Sequence, residues 1–230
     1  MAESNIISLS IVIPTLDAAA RLSICLESLM EWRGPKEVIV VDGGSEDATV
    51  EIARTYNITI LHTTPSRGEQ MRYGATYATG SWLLFLHADT VLEAGWADEV
   101  RAFIENVSNL QRAAAFKFVL DDNSTQAHRV ERLVAWRCHH FGLPYGDQGL
   151  CICKNHYTAI GGYRPIPLME DIDLIQRLGK NKVQILDAAA VTSAERYQRD
   201  GWWARPSRNL VCLFLYMCGL PPHWITRFYR

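Results

Sequence analysis

The sequence predicts an α/β domain built on a mostly parallel, doubly wound sheet with helices on its faces, and three observations carry that prediction. Strand-like and helix-like segments alternate four times between Leu9 and Leu86. The strand segments are continuous apolar runs, the pattern of strands buried on both faces. Each run ends in polar or small residues, as strands do where a sheet presents its ligand-binding edge. Such an alternation favours parallel strands joined by right-handed crossovers.

The elements follow in order. Leu9 to Ile13 is a β-rich run ending at Pro14-Thr15, and Asp17 precedes a helical pattern from Ala18 to Trp32 that carries Leu22, Leu26 and Leu29. Lys36 to Val41 is a second strand, closed by Asp42-Gly43-Gly44-Ser45, and Glu46 to Tyr56 is helical with acids in its first turn. Ile58 to Leu61 is a short strand, and Arg67-Gly68 opens a helix through Ala78. The run Trp82-Leu83-Leu84-Phe85-Leu86 then breaks into His87 and Asp89. Beyond it the pattern predicts a helix over 94–106, a strand over 113–120, a helix over 125–140 and a strand over 150–153. A short helix over 155–160 follows, then a helix from Met169 to Lys180 after Pro165 and Pro167, and a strand from Val183 to Leu186. Residues 1–190 read as one domain. Residues 191–230 read as a helical appendage packed on that domain, on a homodimer partner or on a membrane surface.

Composition narrows the function. The 230 residues are 48% hydrophobic and 21% charged, an ordinary globular balance, and the net charge of −2 gives no footprint for nucleic acid. An acidic ligand must therefore be met by particular arginines. The six cysteines contain no C-x-x-C pair, which argues against a zinc site or a disulfide framework. The first residues lack a signal-peptide pattern, and Leu210 to Leu220 is apolar but too short to span a bilayer. These features predict a cytoplasmic protein, with membrane-peripheral attachment through the tail as the alternative.

Three constellations carry chemistry. If the chain continues extended past Leu86, His87 and Asp89 point to one side and share a crevice; alternatively Asp89 caps a helix starting near Glu93. Asp42 with its glycines can meet a base or ribose, or form a tight turn capped by Ser45. Glu170-Asp171 at a helix start can supply a general base, or merely complement the helix dipole. Neither a G-x-G-x-x-G fingerprint nor a P-loop is present, which counts against hydride transfer and the commonest phosphoryl-transfer scaffold.

The ordered set I-V-I-P-T, V-D-G-G-S-x-D-x-T, R-G, L-H-A-D, G-G-Y and M-E-D-I-D-L resembles the family 2 glycosyltransferases of the GT-A fold, a Rossmann-like nucleotide-diphospho-sugar transferase architecture. The pieces around Arg67, Asp147 and Glu170 look closest to the branch described as arsenosugar-biosynthesis or radical-SAM/selenodomain-associated glycosyltransferases. The resemblance implies an inverting transfer from a nucleoside-diphosphate sugar, commonly UDP-linked, to an acceptor hydroxyl, with Mg²⁺ or Mn²⁺ on the diphosphate. It places Pro14, Thr15, Asp17, Asp42 and Gly43 at the nucleotide, and Arg67 and Arg196 near its phosphates. It makes Asp89 the metal ligand and Asp171, beside Glu170, the base, and it turns Asp147 and Gln148 toward the acceptor. His87 stands where the family's D-x-D motif has its first acid. It keeps a hydrogen-bonding group there and removes a negative charge, which weakens Mg²⁺ more than Mn²⁺. A catalytically silent nucleotide-sugar-binding relative and a nucleotidyltransferase are the alternatives.

Overall fold

The computed structural model describes residues 8–179 and 181–229. The predicted helix end at Lys180, the tail residue Arg230 and the first seven residues, on which the signal-peptide expectation rested, lie outside them. The elements are β1 Leu9–Thr15, α1 Ala19–Ser28, β2 Lys36–Asp42, α2 Thr49–Arg54, β3 Thr59–His62, α3 Arg67–Tyr77, β4 Trp82–Phe85, β5 Thr90–Leu92 and α4 Trp96–Glu105. They continue with β6 Ala113–Leu120, α5 Thr125–Phe141, β7 Leu150–Cys153, α6 Lys154–Ala159, α7 Glu170–Leu178, β8 Val183–Thr192, α8 Glu195–Asp200, α9 Ala204–Met217 and α10 Pro222–Tyr229.

All eight strands join one sheet in the order β3-β2-β1-β4-β7-β6-β8-β5. Strands β3, β2, β1 and β4 are mutually parallel, β7 runs antiparallel to both β4 and β6, and β8 is parallel to β6. This arrangement decides where the ligand edge is. Because β7 runs against β4, the loop that precedes β7 emerges beside the residues that follow β4. Strands β6 and β8 run with β4, so their carboxyl ends reach the same edge, which therefore collects loops from both halves of the chain.

Side-chain alternation divides the sheet into two buried faces. Leu9, Ile11, Ile13, Leu84, Phe116 and Cys151 pack on one side against Leu22 and Leu26 of α1 and Trp96, Val100 and Phe103 of α4. Val12, Ile39, Val41, Leu83 and Ile152 pack on the other against Met71 and Ala75 of α3 and Leu174, Ile175 and Leu178 of α7. Helix α5 sits over the end of β6, where Phe118 and Leu120 meet Val130, Val134 and Tyr197.

Three predicted features differ where they bear on the site. Residues 87–90 are not extended: the Thr90 N–H donates to the His87 C=O at 3.1 Å, forming a turn, and β5 follows it. Helix α4 starts after Gly95, so Asp89 caps no helix. Strand β8 runs to Thr192 and not Leu186, past the expected domain boundary. The added stretch Asp187-Ala188-Ala189-Ala190 has poor strand propensity; Asp187 and Ala188 fall in a register shift, and the strand is recovered where Ala189 pairs with β6 and Ala190 with both β6 and β5. Among the described residues no helix is long and apolar enough to cross a membrane, and the six cysteines are free thiols, five of them buried.

Helix α3, which carries Arg67 at its start, lies unusually close to the sheet at Gly74. A Cβ there would come within 2.5 Å of Val12 Cγ1 and 2.8 Å of Val41 Cγ2. Gly74→Val should lower the denaturant midpoint with an unchanged slope, a loss of about 1–3 kcal/mol from overpacking.

Candidate active site

A cleft opens at the collecting edge, lined by Arg67, His87, Asp89, Asp147, Glu170, Asp171 and Arg196, together with Tyr145, Gly146, Met169, Tyr197 and Asn209. Seven of the thirteen site residues expected from the sequence thus meet in one place. Helix α7 delivers Glu170 and Asp171 from its first turn. Met169, just before them, adopts a left-handed backbone with φ of 67°, a conformation that costs a non-glycine residue of order 1 kcal/mol or more.

Asp171 is held from two sides. The Gly146 N–H donates to its Oδ2 at 3.0 Å and the Tyr163 hydroxyl donates to Oδ1 at 3.2 Å. Burial pushes this carboxyl up to about 7, and the negative charges of Glu170 and Asp147 add to the rise against the opposing pull of Arg67 and the Gly146 amide. Glu170 is 3% exposed and faces Arg67, whose Nη1 stands 3.4 Å from its Oε1.

The His87 ring is pushed down to about 3 by burial, with Arg67 and Arg196 adding to the fall and Asp89 opposing it, so it is neutral at physiological pH. Its Nε2 is buried without a hydrogen-bond partner, an uncommon condition for a polar atom in a folded chain. Gly146 explains the proximity. A Cβ at that position would lie 2.7 Å from His87 Nε2 and would collide with Asp171 Oδ2. Only a glycine lets the loop pass between the imidazole and the carboxylate.

Asp89 Oδ2 lies 3.9 Å from Arg196 Nη2, and the Asp89 side chain is about a quarter exposed, at 26%. No group of three or more metal-ligating side chains assembles among the described residues. The Asp89 carboxylate, turned to the cleft beside Arg196, fits a hard cation that takes its remaining ligands from a diphosphate and water, as Mg²⁺ and Mn²⁺ do at phosphate sites.

The residues expected at the nucleotide, Pro14, Thr15, Asp17, Asp42 and Gly43, form a neighbouring cluster at the ends of β1 and β2, outside the cleft lining. Asp42 is 1% exposed and saturated by its own turn. Its Oδ2 accepts the N–H groups of Gly44 and Ser45 at 2.9 and 3.0 Å, and its Oδ1 accepts the hydroxyls of Ser45 and Thr15 at 2.5 and 3.1 Å. Burial alone would raise this carboxyl, but those hydrogen bonds outweigh it and hold the group below its ordinary range. Asp17, with φ of 48°, accepts the Glu46 N–H through Oδ1 at 2.9 Å, which ties the loop after Pro14 to the loop after Gly43.

Gln148 is also placed differently from the sequence expectation. Its side chain is buried behind the cleft: Nε2 donates to Phe116 C=O at 2.9 Å, and Oε1 accepts from Arg137 Nη2 at 3.2 Å and the Tyr145 N–H at 3.3 Å. An amide so engaged faces the core and not the cleft. Sequence reasoning missed Gly146, Tyr163 and Asn209. Gly146 sits in a Tyr-Gly-Asp-Gln run whose glycine offered a signal, whereas Asn209 reaches the cleft only through the packing of α9.

Residues 10–110 match the family model described as Glycosyl transferase family 2. A PGL/p-HBAD biosynthesis glycosyltransferase of Mycobacterium bovis is 44% identical over 104 residues, 41% of this chain and 41% of the relative. An uncharacterized glycosyltransferase of Haemophilus influenzae is 27% identical over 185 residues, 74% of this chain and 61% of the relative. The chain therefore spans less than two thirds of the length of either. Among solved structures, Staphylococcus aureus TarS 1-349 superposes with a TM-score of 0.63 at 16% identity, covering 90% of this chain and 65% of that one. The mannosyltransferase PcManGT of Pyrobaculum calidifontis, solved with GDP-Man and Mn²⁺, gives 0.59 at 15% identity over 80% of this chain and 56% of that one. Residues 10–110 accordingly resemble glycosyl transferase family 2, in a chain that has the fold of the GT-A glycosyltransferases.

Proposed function

We propose that the chain transfers a sugar, with inversion, from a nucleoside-diphosphate sugar to an acceptor hydroxyl, and that the cleft is where it does so. The observation that carries this reading is Asp171, a carboxyl tuned to about 7 and aimed into a cleft whose other side holds Asp89, Arg67 and Arg196. Likeness to TarS, which has been solved with UDP and with UDP-GlcNAc, and to PcManGT with GDP-Man and Mn²⁺ supports a nucleotide-sugar donor, with UDP as the first nucleotide to try. The particular branch named from the motifs, arsenosugar-biosynthesis or radical-SAM/selenodomain-associated, belongs to the same proposal.

The chemistry has one dominant difficulty. As the glycosidic bond breaks, negative charge collects on the departing diphosphate and positive charge grows on the sugar. Arg67 and Arg196 meet the diphosphate, and preorganised charges at that point are usually the largest catalytic contribution. A divalent cation held by Asp89 and the phosphates would supply Lewis-acid stabilisation of the leaving group. Asp171 takes the acceptor proton as the new bond forms, with Gly146 and Tyr163 fixing the carboxylate's orientation. Glu170 raises the basicity of its neighbour and positions Arg67. Asp147 stands at the acceptor side of the cleft, and the cluster of Pro14, Thr15, Asp17, Asp42 and Gly43 forms the shoulder on which the nucleoside rests. With the Asp42 carboxylate saturated in its closed turn, base recognition falls to the backbone and outer atoms around it.

Screening nucleoside-diphosphate sugars by calorimetry with Mn²⁺ or Mg²⁺, then assaying hydrolysis or transfer, tests the whole reading; absence of binding by every nucleotide would sink it. Asp171→Asn should lower kcat by about 10²- to 10⁴-fold with donor affinity retained. The wild-type rate should rise with pH through about 7 as the carboxyl deprotonates. Stability should move the other way. The folded carboxyl holds its proton to about 7, whereas an unfolded aspartate releases it near about 3.9. The stabilisation is complete below the lower value and is lost as pH rises through the upper one. The wild-type melting temperature should therefore fall relative to Asp171→Asn across that window.

Gly146→Ala should cut kcat by about tenfold or more while nucleotide binding persists, because the methyl group displaces the Asp171 carboxylate from its near-attack position. Asp89→Ala should abolish the metal-dependent part of nucleotide affinity in calorimetry; an unchanged metal dependence would remove Asp89 from that role.

A further inference from the structure

We infer that helices α9 and α10 form a docking surface for an anionic lipid bilayer, on which the chain lies without spanning it. The two helices pack on each other and divide their residues sharply. Cys212, Leu213 and Ile225 are buried, Tyr216 donates its hydroxyl to Asp173 at 3.3 Å, and Asn209 lines the cleft. The opposite face carries Leu210, Val211 and Phe214 on α9 and Trp224 and Phe228 on α10, with Phe214 66% and Phe228 59% exposed. The spacing of four between Leu210 and Phe214, and again between Trp224 and Phe228, aligns them as stripes along each helix. An apolar patch of this make-up on a folded domain marks an interaction surface.

Charge selects the occupant. Between residues 201 and 230 the chain contains four arginines and no aspartate or glutamate, in a protein whose net charge is −2. Arg227 stacks over the Trp224 ring at 4.5 Å, placing a cation on the face of an aromatic side chain that suits the headgroup level. Tryptophan, phenylalanine and leucine bordered by arginine are the pattern of helices that rest in the interface of anionic membranes. A second copy of the chain is the poorer occupant, because a two-fold contact would set the same arginine-bearing, acid-free patch against itself. No described helix is long and apolar enough to span, so the surface lies on the bilayer.

The geometry has a functional corollary. Asn209 faces the cleft one residue before Leu210 turns outward, so docking sets the cleft mouth beside the lipid plane. An acceptor anchored in that bilayer would reach Asp171 without leaving it. This surface goes beyond the transferase reading and does not depend on it, because its test reads no turnover.

Vesicle flotation of the full chain decides the matter, with phosphatidylcholine alone or mixed with phosphatidylglycerol. The expected result is co-flotation with the mixed vesicles, little with the neutral ones, and release at high salt. Leu210→Ser with Phe214→Ser should weaken partition by about tenfold or more through lost apolar burial. Arg227→Gln should weaken it about fivefold on anionic vesicles alone. Because these residues are exposed, circular dichroism and melting temperature should be unchanged, and any variant that fails that check is replaced by Val211→Ser. Failure of the wild type to float with either vesicle overturns the inference. So does equal flotation of wild type and variants, or a dimer in sedimentation equilibrium that Phe214→Ser dissolves.

Discussion

The Gln148 amide is where the two walls of the cleft are joined: it holds β6 through the Phe116 carbonyl, α5 through Arg137, and its own loop through the Tyr145 N–H. Arg137 reinforces the joint by bonding Leu143 C=O at 2.9 Å and stacking over the Tyr145 ring at 3.5 Å. Were this loop to drift, the Gly146 N–H would leave Asp171, and the close passage between that carboxylate and His87 would open. Buried and fully engaged polar groups of this kind specify one arrangement more strictly than apolar packing does. The geometry of the cleft is thus set by a residue that does not itself face it.

The electrostatics of the cleft depend on unequal treatment of similar groups. Asp42 and Asp171 are both substantially withdrawn from water, yet one is held below the usual carboxylate range and the other well above it. The difference is the supply of donors: four hydrogen bonds surround Asp42, whereas Asp171 receives two and has Glu170 and Asp147 for neighbours. The first is suited to remain an anion that shapes a turn. The second is suited to exchange a proton near neutrality. His87 adds a neutral ring with a buried, unanswered nitrogen next to the second.

Much of this was legible in the residues because the N-terminal half is locally coded. Apolar runs closed by Pro14-Thr15, Asp42-Gly43 and His87-Ala88-Asp89 marked strands and the edge at which they end, and the ordered motifs pointed to the family whose model residues 10–110 match. The remainder was hidden for identifiable reasons. The alanine-rich second half of β8 is a strand by virtue of its neighbours, not its own propensity. The turn at residues 87–90 overrode the expected extended geometry yet kept both side chains on the cleft. Gln148 is a polar residue whose partners come from three separate elements, so no local pattern distinguishes its inward direction from an outward one. Asn209 enters through tertiary packing alone.

The single short strand β5 carries a consequence for how the chain assembles. Its registered partner is β8, Thr90 opposite Thr192, and so a strand made early in synthesis waits about a hundred residues for its neighbour. Strands β1 to β4 need no such delay, since their partners lie within the first half, apart from the β4 contact to β7. Long-range pairings close late because loop entropy must be overcome first. The turns at the ends of β1 and β2 can therefore form while the ribosome is still adding the acidic wall, and the cleft is among the last features of the fold to come into being.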